Sequence, residues 1–119
     1  ATPAEIYNRP ASTFVASFIG APPMNLLAHA PGVAAERLMG VRPEHIDLTP
    51  HSGWELKTYA VELLGAERLV HAHLGDETLT LRLDATLHAP APGEVFHATP
   101  KQDRLHWFDA HSRQRLDKA

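Results

Sequence analysis

Alternating apolar and polar residues dominate the chain from about residue 23 onward. Seven runs of strand length follow one another at regular spacing, with turn residues between them: MNLLAHA, LMGVRPEHIDL, WELKTYAVELLG, AERLVHAHLG, ETLTLRLDATL, GEVFHATP and RLHWFDA. Such regular spacing is typical of an all-β barrel or sandwich. No helical crossover separates the runs, so the pattern predicts an all-β fold of about seven short strands.

The strongest local prediction is a hairpin about Gly75 and Asp76. Period two in the strand that follows places Leu79, Leu81 and Leu83 on one face and Thr78, Thr80 and Arg82 on the other. At the other end of the chain, DAHSRQRLD predicts a last turn that leads into a frayed C-terminus.

The first 22 residues have a different, helical pattern. Thr2 can act as an N-cap, Pro3 fits the first helical position, and Glu5 can close a capping box. The signals predict a short helix that runs to about Asn8 and is ended by Pro10. We therefore separate residues 1–22 from residues 23–119.

A second short helix is predicted in ASTFVASFIG, with Gly20 as its C-terminal cap. Phe14, Val15, Phe18 and Ile19 form an apolar stripe on one side of it. Either the stripe packs on the domain that follows, or its partner belongs to a longer protein of which this chain is a piece.

The segment GVRPEHI, residues 40–46, interrupts an apolar strand with charge and with proline. Proline has no backbone N–H, so Pro43 must lie at a sheet edge, at a strand start or at a bulge. Arg42 and Glu44 could brace such a corner as an exposed ion pair. Alternatively, they could take part in a subunit contact, where a bidentate arginine contributes more.

Composition excludes several classes of partner and chemistry. The 119 residues include 11 basic and 14 acidic side chains, a formal net charge of −3, and no basic block. Nucleic acid and anionic membranes therefore have no electrostatic attraction to the chain as a whole. There is no cysteine, which excludes disulfides and thiolate zinc sites and fits a reducing cytosol.

The sequence contains no recognisable catalytic motif. No glycine begins the phosphate-binding loop that nucleotide hydrolysis requires, and the nucleophile elbow of serine hydrolases is also missing. We expect no catalytic residue, no cofactor and no metal site in these residues.

A few side chains remain as candidates for binding. His71 and His73 project from the same face of a predicted strand, but a structural zinc site needs four ligands, so surface or hydrogen-bonded histidines are the favoured interpretation. Together with Arg82 they could instead hold a small anion. Trp107, in HWFD, could anchor a partner. Alternatively, because Trp107 and Phe108 must face opposite sides of a strand, Trp107 could be the one that points into the core.

The N-terminal segment and the corner together carry a resemblance to a known family. TPAEIYNRPASTFVASFIGAPPMNLL followed by GVRPEHI resembles the junction between the ATPase domain and the regulatory domain in ATP-binding subunits of carbohydrate-type ABC importers. The rest, including VELLGAERLVHAHLGDETLTLRL and DRLHWFDAHSRQRL, is similar to the glycerol-3-phosphate branch of that family. The resemblance covers nearly all 119 residues.

The resemblance implies that residues 1–22 are the helical end of an ATPase domain whose catalytic motifs lie upstream. Residues 23–119 would be an accessory domain of the oligonucleotide/oligosaccharide-binding type, known as TOBE. The expected function is a regulatory and dimerisation module that clamps two ATPase subunits and receives inhibitory signals from a cytosolic protein. An alternative is a small-anion sensor.

The same resemblance implies partners and a location for the intact parent. It would bind ATP and Mg²⁺, work as a homodimer with membrane permease subunits and a periplasmic binding protein, and lie peripherally on the cytoplasmic side of the bacterial inner membrane. Arg42, Glu44, Phe14, Phe18 and Trp107 are the candidate interaction residues.

Overall fold

Residues 2–18 and 22–117 are described by a computed structural model, and in them the predicted all-β architecture is confirmed. The helices are α1, Pro3–Asn8, and α2, Thr13–Phe18. Short 3-10 helices span Pro43–His45 and Gln102–Arg104. The strands are β1 Asn25–Leu27, β2 Arg37–Val41, β3 Ile46–Thr49, β4 Trp54–Leu64, β5 Glu67–Leu74, β6 Glu77–Asp84, β7 Val95–Pro100, β8 His106–Asp109 and β9 Arg115–Leu116.

The start of α1 follows the predicted signals. The hydroxyl oxygen of Thr2 accepts a hydrogen bond from the backbone N–H of Glu5 at 3.2 Å, and Pro3 is the first helical residue. At the other end, the N–H of Arg9 donates to the carbonyl of Glu5 at 2.8 Å. The helix therefore has the predicted bounds.

The second helix is also where the sequence places it, but a different face packs inward. Thr13 and Ala16 are buried, whereas Phe14 is 72% exposed. The small side chain of Ala16 allows the helix to lie close to the sheet beneath it. The side chain of Phe18, and the whole of Ile19 and Gly20, lie outside the described residues.

The run from residue 38 to 48 forms two strands, not the single strand predicted. Pro43 begins a 3-10 helix, where its missing N–H is not needed, and this helix separates β2 from β3. The two strands belong to different sheets. This segment, residues 40–46, carries the chain from one sheet to the other and is called the corner below.

Two antiparallel sheets enclose the main core. Their strand orders are β1-β2-β8-β9 and β3-β7-β4-β5-β6. Within the described residues these remain two sheets, so the fold is the sandwich form of the prediction and not a closed barrel. The core between the sheets contains Leu27, Met39, Val41, Ile46, Trp54, Leu56, Val70, Leu79, Leu81, Leu83 and Ala98.

The hairpin of β5 and β6 confirms the strongest local prediction. Leu74 is opposite Glu77, and the turn residue Gly75 has a φ of +60°. The inward face of β6 is buried as expected, with Leu81 fully buried.

Side-chain to backbone hydrogen bonds link the outer edge of β6 to β1 and the residues that follow it. The amide of Asn25 donates to the carbonyl of Thr80 at 2.8 Å and accepts from the N–H of Thr80 at 2.8 Å. The carboxylate of Glu77 accepts from the N–H groups of Ala28 and His29, each at 2.7 Å. These contacts join the two sheets where a backbone ladder is not formed.

The second face of the β1-β2-β8-β9 sheet is covered by the N-terminal segment. Leu38 and Phe108 pack there with Ala16 and Met24. The N–H of Arg115 also donates to the carbonyl of Ala11 at 2.8 Å. The N-terminal helices are thus packed on the β-domain.

The prediction of a frayed C-terminus is wrong for residues 115–116. They form β9, in which Leu116 is opposite Trp107 and Arg115 is opposite Phe108. Ser12 forms an isolated bridge with Gln114 on the other side. The N-terminal segment supplies the backbone partners that order this strand.

No helix in the described parts of the chain has the length and apolar character needed to cross a membrane.

Candidate functional site

Arg42 caps the ends of both N-terminal helices. Its Nη2 donates to the carbonyl of Tyr7 at 3.0 Å, and its Nη1 lies 3.4 Å from the carbonyl of Ala16. Both carbonyls belong to the last turn of their helices, where intrahelical donors run out and partial negative charge accumulates. One buried guanidinium therefore serves two helix ends.

The expectation of an exposed Arg42–Glu44 pair is wrong. Arg42 is 1% exposed, and its Cζ lies 4.2 Å from the centre of the Tyr7 ring. The helix carbonyls and the aromatic face replace the water that an exposed guanidinium would bind. Arg42 therefore acts inside the fold.

Glu44 also binds the N-terminal segment. Its carboxylate accepts a hydrogen bond from the hydroxyl of Tyr7. Burial by itself would raise the pKa of Glu44. The hydrogen bonds from Tyr7 and from the backbone, with the charges of His45 and Arg42, outweigh burial and lower it. Tyr7 is thus held twice by the corner, at its carbonyl and at its hydroxyl.

Tyr7 responds to the same contacts in the opposite direction. Burial and the hydrogen bond to Glu44 raise the pKa of Tyr7, and these effects exceed the opposing charges of Arg42 and Arg82. The hydroxyl consequently keeps its proton and remains a donor to Glu44.

Beside this corner lies a cavity of about 240 Å³, which we call the cationic cleft. It is formed by α1, the two 3-10 helices and the start of β8, and its lining residues are Tyr7, Asn8, Arg42, His45, Asp103, Arg104 and His106. Two arginines and two histidines face a single carboxylate, that of Asp103. The cleft is therefore rich in hydrogen-bond donors and in positive charge.

The pKa values of both histidines of the cationic cleft are lowered. Burial lowers the pKa of His106 to about 4, and the charges of Arg115 and Arg42 act in the same direction. Burial also lowers the pKa of His45; Glu44 opposes this shift, but Arg104 and Lys101 reinforce it. Positive charge already present in the cleft thus discourages the addition of more.

His71, His73 and Arg82 lie on the outer face of the second sheet. His71 Nε2 is 2.7 Å from a carboxylate oxygen of Glu62, and Arg82 Nε is 3.2 Å from Glu67. The His73 ring packs against Tyr59, with centroids 4.7 Å apart. These residues do share a face, as the spacing predicts, but two of the three already bind carboxylates.

A metal site finds no support in the geometry. Among the described residues, no group of three or more histidine, aspartate or glutamate side chains is placed to hold a metal ion. Of the nine histidines, all among the described residues, only His71 and His73 share a strand, and the other seven lie on different strands, turns and loops and on a 3-10 helix.

Trp107 is partly buried and packs against the main core, while the adjacent Phe108 is fully buried on the opposite face of the sheet. With Met39 and Trp54, Trp107 lines an apolar cleft of about 380 Å³. Neither Phe14 nor Trp107 lines the cationic cleft that contains Arg42.

Sequence reasoning missed most of the cleft. Tyr7, His106 and Arg104 come from separate elements, so their convergence has no signature in local spacing. Only the corner drew attention, because proline and two charges interrupt an apolar strand there.

Comparison with known proteins identifies a family model that matches part of this chain. The family model described as "TOBE domain" matches residues 39–108. That match begins within β2 and ends within β8, and it contains the corner, both 3-10 helices and β3 to β7.

Longer relatives match almost the whole chain. Proteins called "sn-glycerol-3-phosphate import ATP-binding protein UgpC" are 38% identical in Cupriavidus pinatubonensis and 40% identical in Cereibacter sphaeroides, each over 98% of this chain. The corresponding protein of Escherichia coli is 34% identical over 97% of it. The chain spans about two fifths of these relatives, with 41%, 38% and 39% of their lengths covered.

Proposed function

The chain belongs to the TOBE domain family, and on that basis we propose that it is the regulatory and dimerisation domain of an ATP-binding subunit of an ABC-type importer. The proposed cargo of the importer is sn-glycerol 3-phosphate. The observation that carries the proposal is the similarity of nearly the whole chain, helices included, to the UgpC proteins.

The corner supports a regulatory role by its geometry. Arg42 caps α1 and α2, and Glu44 binds the hydroxyl of Tyr7, so the helices that would lead from an ATPase domain are fastened to the β-domain. A movement of one part would be transmitted to the other through buried contacts. Such a link suits a domain that clamps two ATPase subunits and receives a signal from a cytosolic protein.

The remaining functions belong to the proposed parent. ATP and Mg²⁺ would bind upstream of Ala1, and the subunit would work with permease subunits and a periplasmic binding protein. Its place would be peripheral, on the cytoplasmic side of the bacterial inner membrane. The present residues are proposed to take no part in the hydrolysis itself.

One sequence observation tests this parentage. The coding sequence upstream of Ala1 should contain a phosphate-binding loop, a signature motif and a switch histidine. A start codon directly before Ala1 would contradict the proposal.

Transport gives the functional test. Deleting the gene should abolish uptake of labelled sn-glycerol 3-phosphate in a strain that depends on this importer, and the intact gene should restore it. Loss of maltose uptake with unchanged glycerol 3-phosphate uptake would assign the subunit to another cargo.

The proposed homodimer has its own test by sedimentation of the full chain. Phe14→Ser combined with Phe18→Ser should weaken self-association if α2 contributes to the dimer surface, since an exposed large apolar side chain favours association. Leu63→Ser is the matched control, because Leu63 is 73% exposed at the far end of β4. Equal weakening by both changes would argue against α2 as the dimer surface.

The anion-sensing alternative is not proposed for His71, His73 and Arg82. An anion there would have to displace the carboxylates of Glu62 and Glu67.

A further inference from the structure

The cationic cleft holds several hydrogen-bond donors that the fold itself does not use. Arg104 is exposed, and among the described residues its side chain forms no hydrogen bond or ion pair. The Nδ1 atom of His45 is buried and likewise has no hydrogen-bond partner within residues 2–18 and 22–117. A ligand in the cleft could satisfy both groups.

The protonation of His106 can be inferred from its neighbour. Nη2 of Arg115 lies 2.5 Å from Nδ1 of His106. A guanidinium only donates, so Nδ1 must be the acceptor, and the ring hydrogen of the neutral imidazole is on Nε2. His106 therefore contributes a donor to the cleft, on the nitrogen that Arg115 does not contact.

We propose that the cationic cleft binds a small dianionic oxyanion of the phosphate or phosphate-monoester class. The cavity of about 240 Å³ has room for a tetrahedral oxyanion with a short organic substituent. Arg104 and the two imidazoles are the groups that would contact it, whereas Arg42, which already donates to helix carbonyls, contributes positive charge from inside the fold. Arginine binds such oxygens with parallel, charge-assisted hydrogen bonds. None of His71, His73 and Arg82 lines this cleft.

Asp103 is the one lining carboxylate and selects among anions. It repels a ligand that carries only acceptor oxygens, and it can accept a hydrogen bond from a ligand hydroxyl. Hydrogen phosphate and a hydroxylated phosphate ester each carry such a hydroxyl, whereas sulfate does not. We therefore expect sulfate to bind more weakly than phosphate.

Binding should also take up protons. The charged and titratable groups around the two histidines belong to α1 and the residue after it, the corner, the second 3-10 helix with the residue before it, and the C-terminal strand region. They are Tyr7, Arg9, Arg42, Glu44, Lys101, Asp103, Arg104, Arg115 and Asp117. Burial and nearby cations lower the pKa of both histidines, and a bound dianion would oppose that shift.

Isothermal titration calorimetry of the full chain tests the site, with inorganic phosphate and sn-glycerol 3-phosphate as ligands and chloride as background anion. Saturable binding to one site is expected for at least one of them. The ligand that binds more tightly shows whether the free ion or the ester is preferred. Absence of saturable heat with both ligands at millimolar concentration would overturn the proposal.

Two charge-removing variants distinguish a built site from general attraction of anions. Arg104→Gln should weaken binding about ten-fold or more, because a charge-assisted contact is lost. Lys57→Gln removes an equal charge on β4 and should leave affinity within about two-fold, as expected for a distant, exposed cation. Equal weakening by the two variants, or unchanged binding to Arg104→Gln, would contradict the assignment.

The proton uptake gives a second readout. Titrations near pH 6 in two buffers of different ionisation enthalpy should give different observed heats for the unchanged chain. Phosphate and its monoesters also titrate at about pH 6, so the imidazole contribution is the difference in buffer dependence between the unchanged chain and His106→Gln under the same conditions. His106→Gln should change the buffer dependence, and the same buffer dependence in both proteins would contradict the proposed contact between the ligand and this imidazole.

Discussion

The guanidinium of Arg42 donates to the backbone carbonyl of Tyr7 at 3.0 Å while its Cζ lies 4.2 Å from the centre of the same residue's ring. The residue that follows β2 is thus packed against the last turn of α1. Through this contact and that with Ala16, the β-domain holds the N-terminal helices.

Replacing Arg42 by methionine should destabilise the chain by about 2–4 kcal/mol, because buried carbonyls lose charged donors. The free energy of unfolding of Arg42→Lys should lie between those of the unchanged chain and Arg42→Met, since one ammonium group cannot replace the two guanidinium hydrogen bonds or the stacking on Tyr7. Urea unfolding measures both. Arg104→Met, an exposed arginine change, is the control, and a loss as large as that of Arg42→Met would refute a special role for the buried position.

Gly53 should tolerate no side chain. Its φ is +88°, and a Cβ there would lie 2.5 Å from the carbonyl oxygen of Ala98. Gly75 has a φ of +60° with nothing within 4 Å, so Gly75→Ala measures the backbone cost alone. Thermal unfolding should show Gly53→Ala to be less stable than Gly75→Ala by about 1 kcal/mol or more. Equal losses would show that Ala98 moves aside freely.

Asn25→Asp should weaken the junction between the sheets in a pH-dependent way. At neutral pH the new carboxylate would face the carbonyl of Thr80 and lose the donor that binds it, at a cost of about 2 kcal/mol or more. Protonation near pH 4 restores a donor, so the difference from the unchanged chain should shrink there. Gln114→Glu, at an exposed position outside the cationic cleft, is the control, and a pH-independent deficit at position 25 would contradict this explanation.

Stability should rise with pH between about 4 and 6.5 because of His106. Its folded pKa, about 4, is below the ordinary 6.5, so the unfolded chain binds more protons throughout that window. The stabilising contribution is complete above 6.5 and is lost as pH falls toward 4. The lowered pKa of Glu44 acts at the acid end, where its contribution disappears as the carboxylate is protonated.

His106→Gln should therefore reduce the slope of unfolding free energy against pH in this window, by up to about one proton. Chemical denaturation in phosphate-free buffers provides the slope. An unchanged slope would mean that His106 is not the group that titrates.

The strands and the hairpin were predictable from sequence because period two reports directly which residues face a core. The β6 leucines and the N-cap at Thr2 depend only on neighbours along the chain. The missing N–H of Pro43 suggested that the strand is interrupted there, but nothing in the sequence suggested that Arg42 is buried. Its burial depends on carbonyls of Tyr7 and Ala16, which lie 35 and 26 residues away.

The C-terminal strand, β9, could not be predicted from its own sequence either. Residues 115–116 have little strand character alone, and they are ordered by Trp107 and Phe108 on one side and by the N-terminal segment on the other. The cationic cleft likewise requires four separate elements to meet. No local pattern contains that information.

A double-mutant cycle between Tyr7→Phe and Glu44→Gln tests most directly whether the corner fastens the N-terminal helices to the β-domain. Unfolding free energies of the four proteins should give a coupling energy of about 1–3 kcal/mol, because the hydroxyl and the carboxylate stabilise each other. Additive effects, with a coupling below about 0.3 kcal/mol, would show that the corner and the helices are energetically independent.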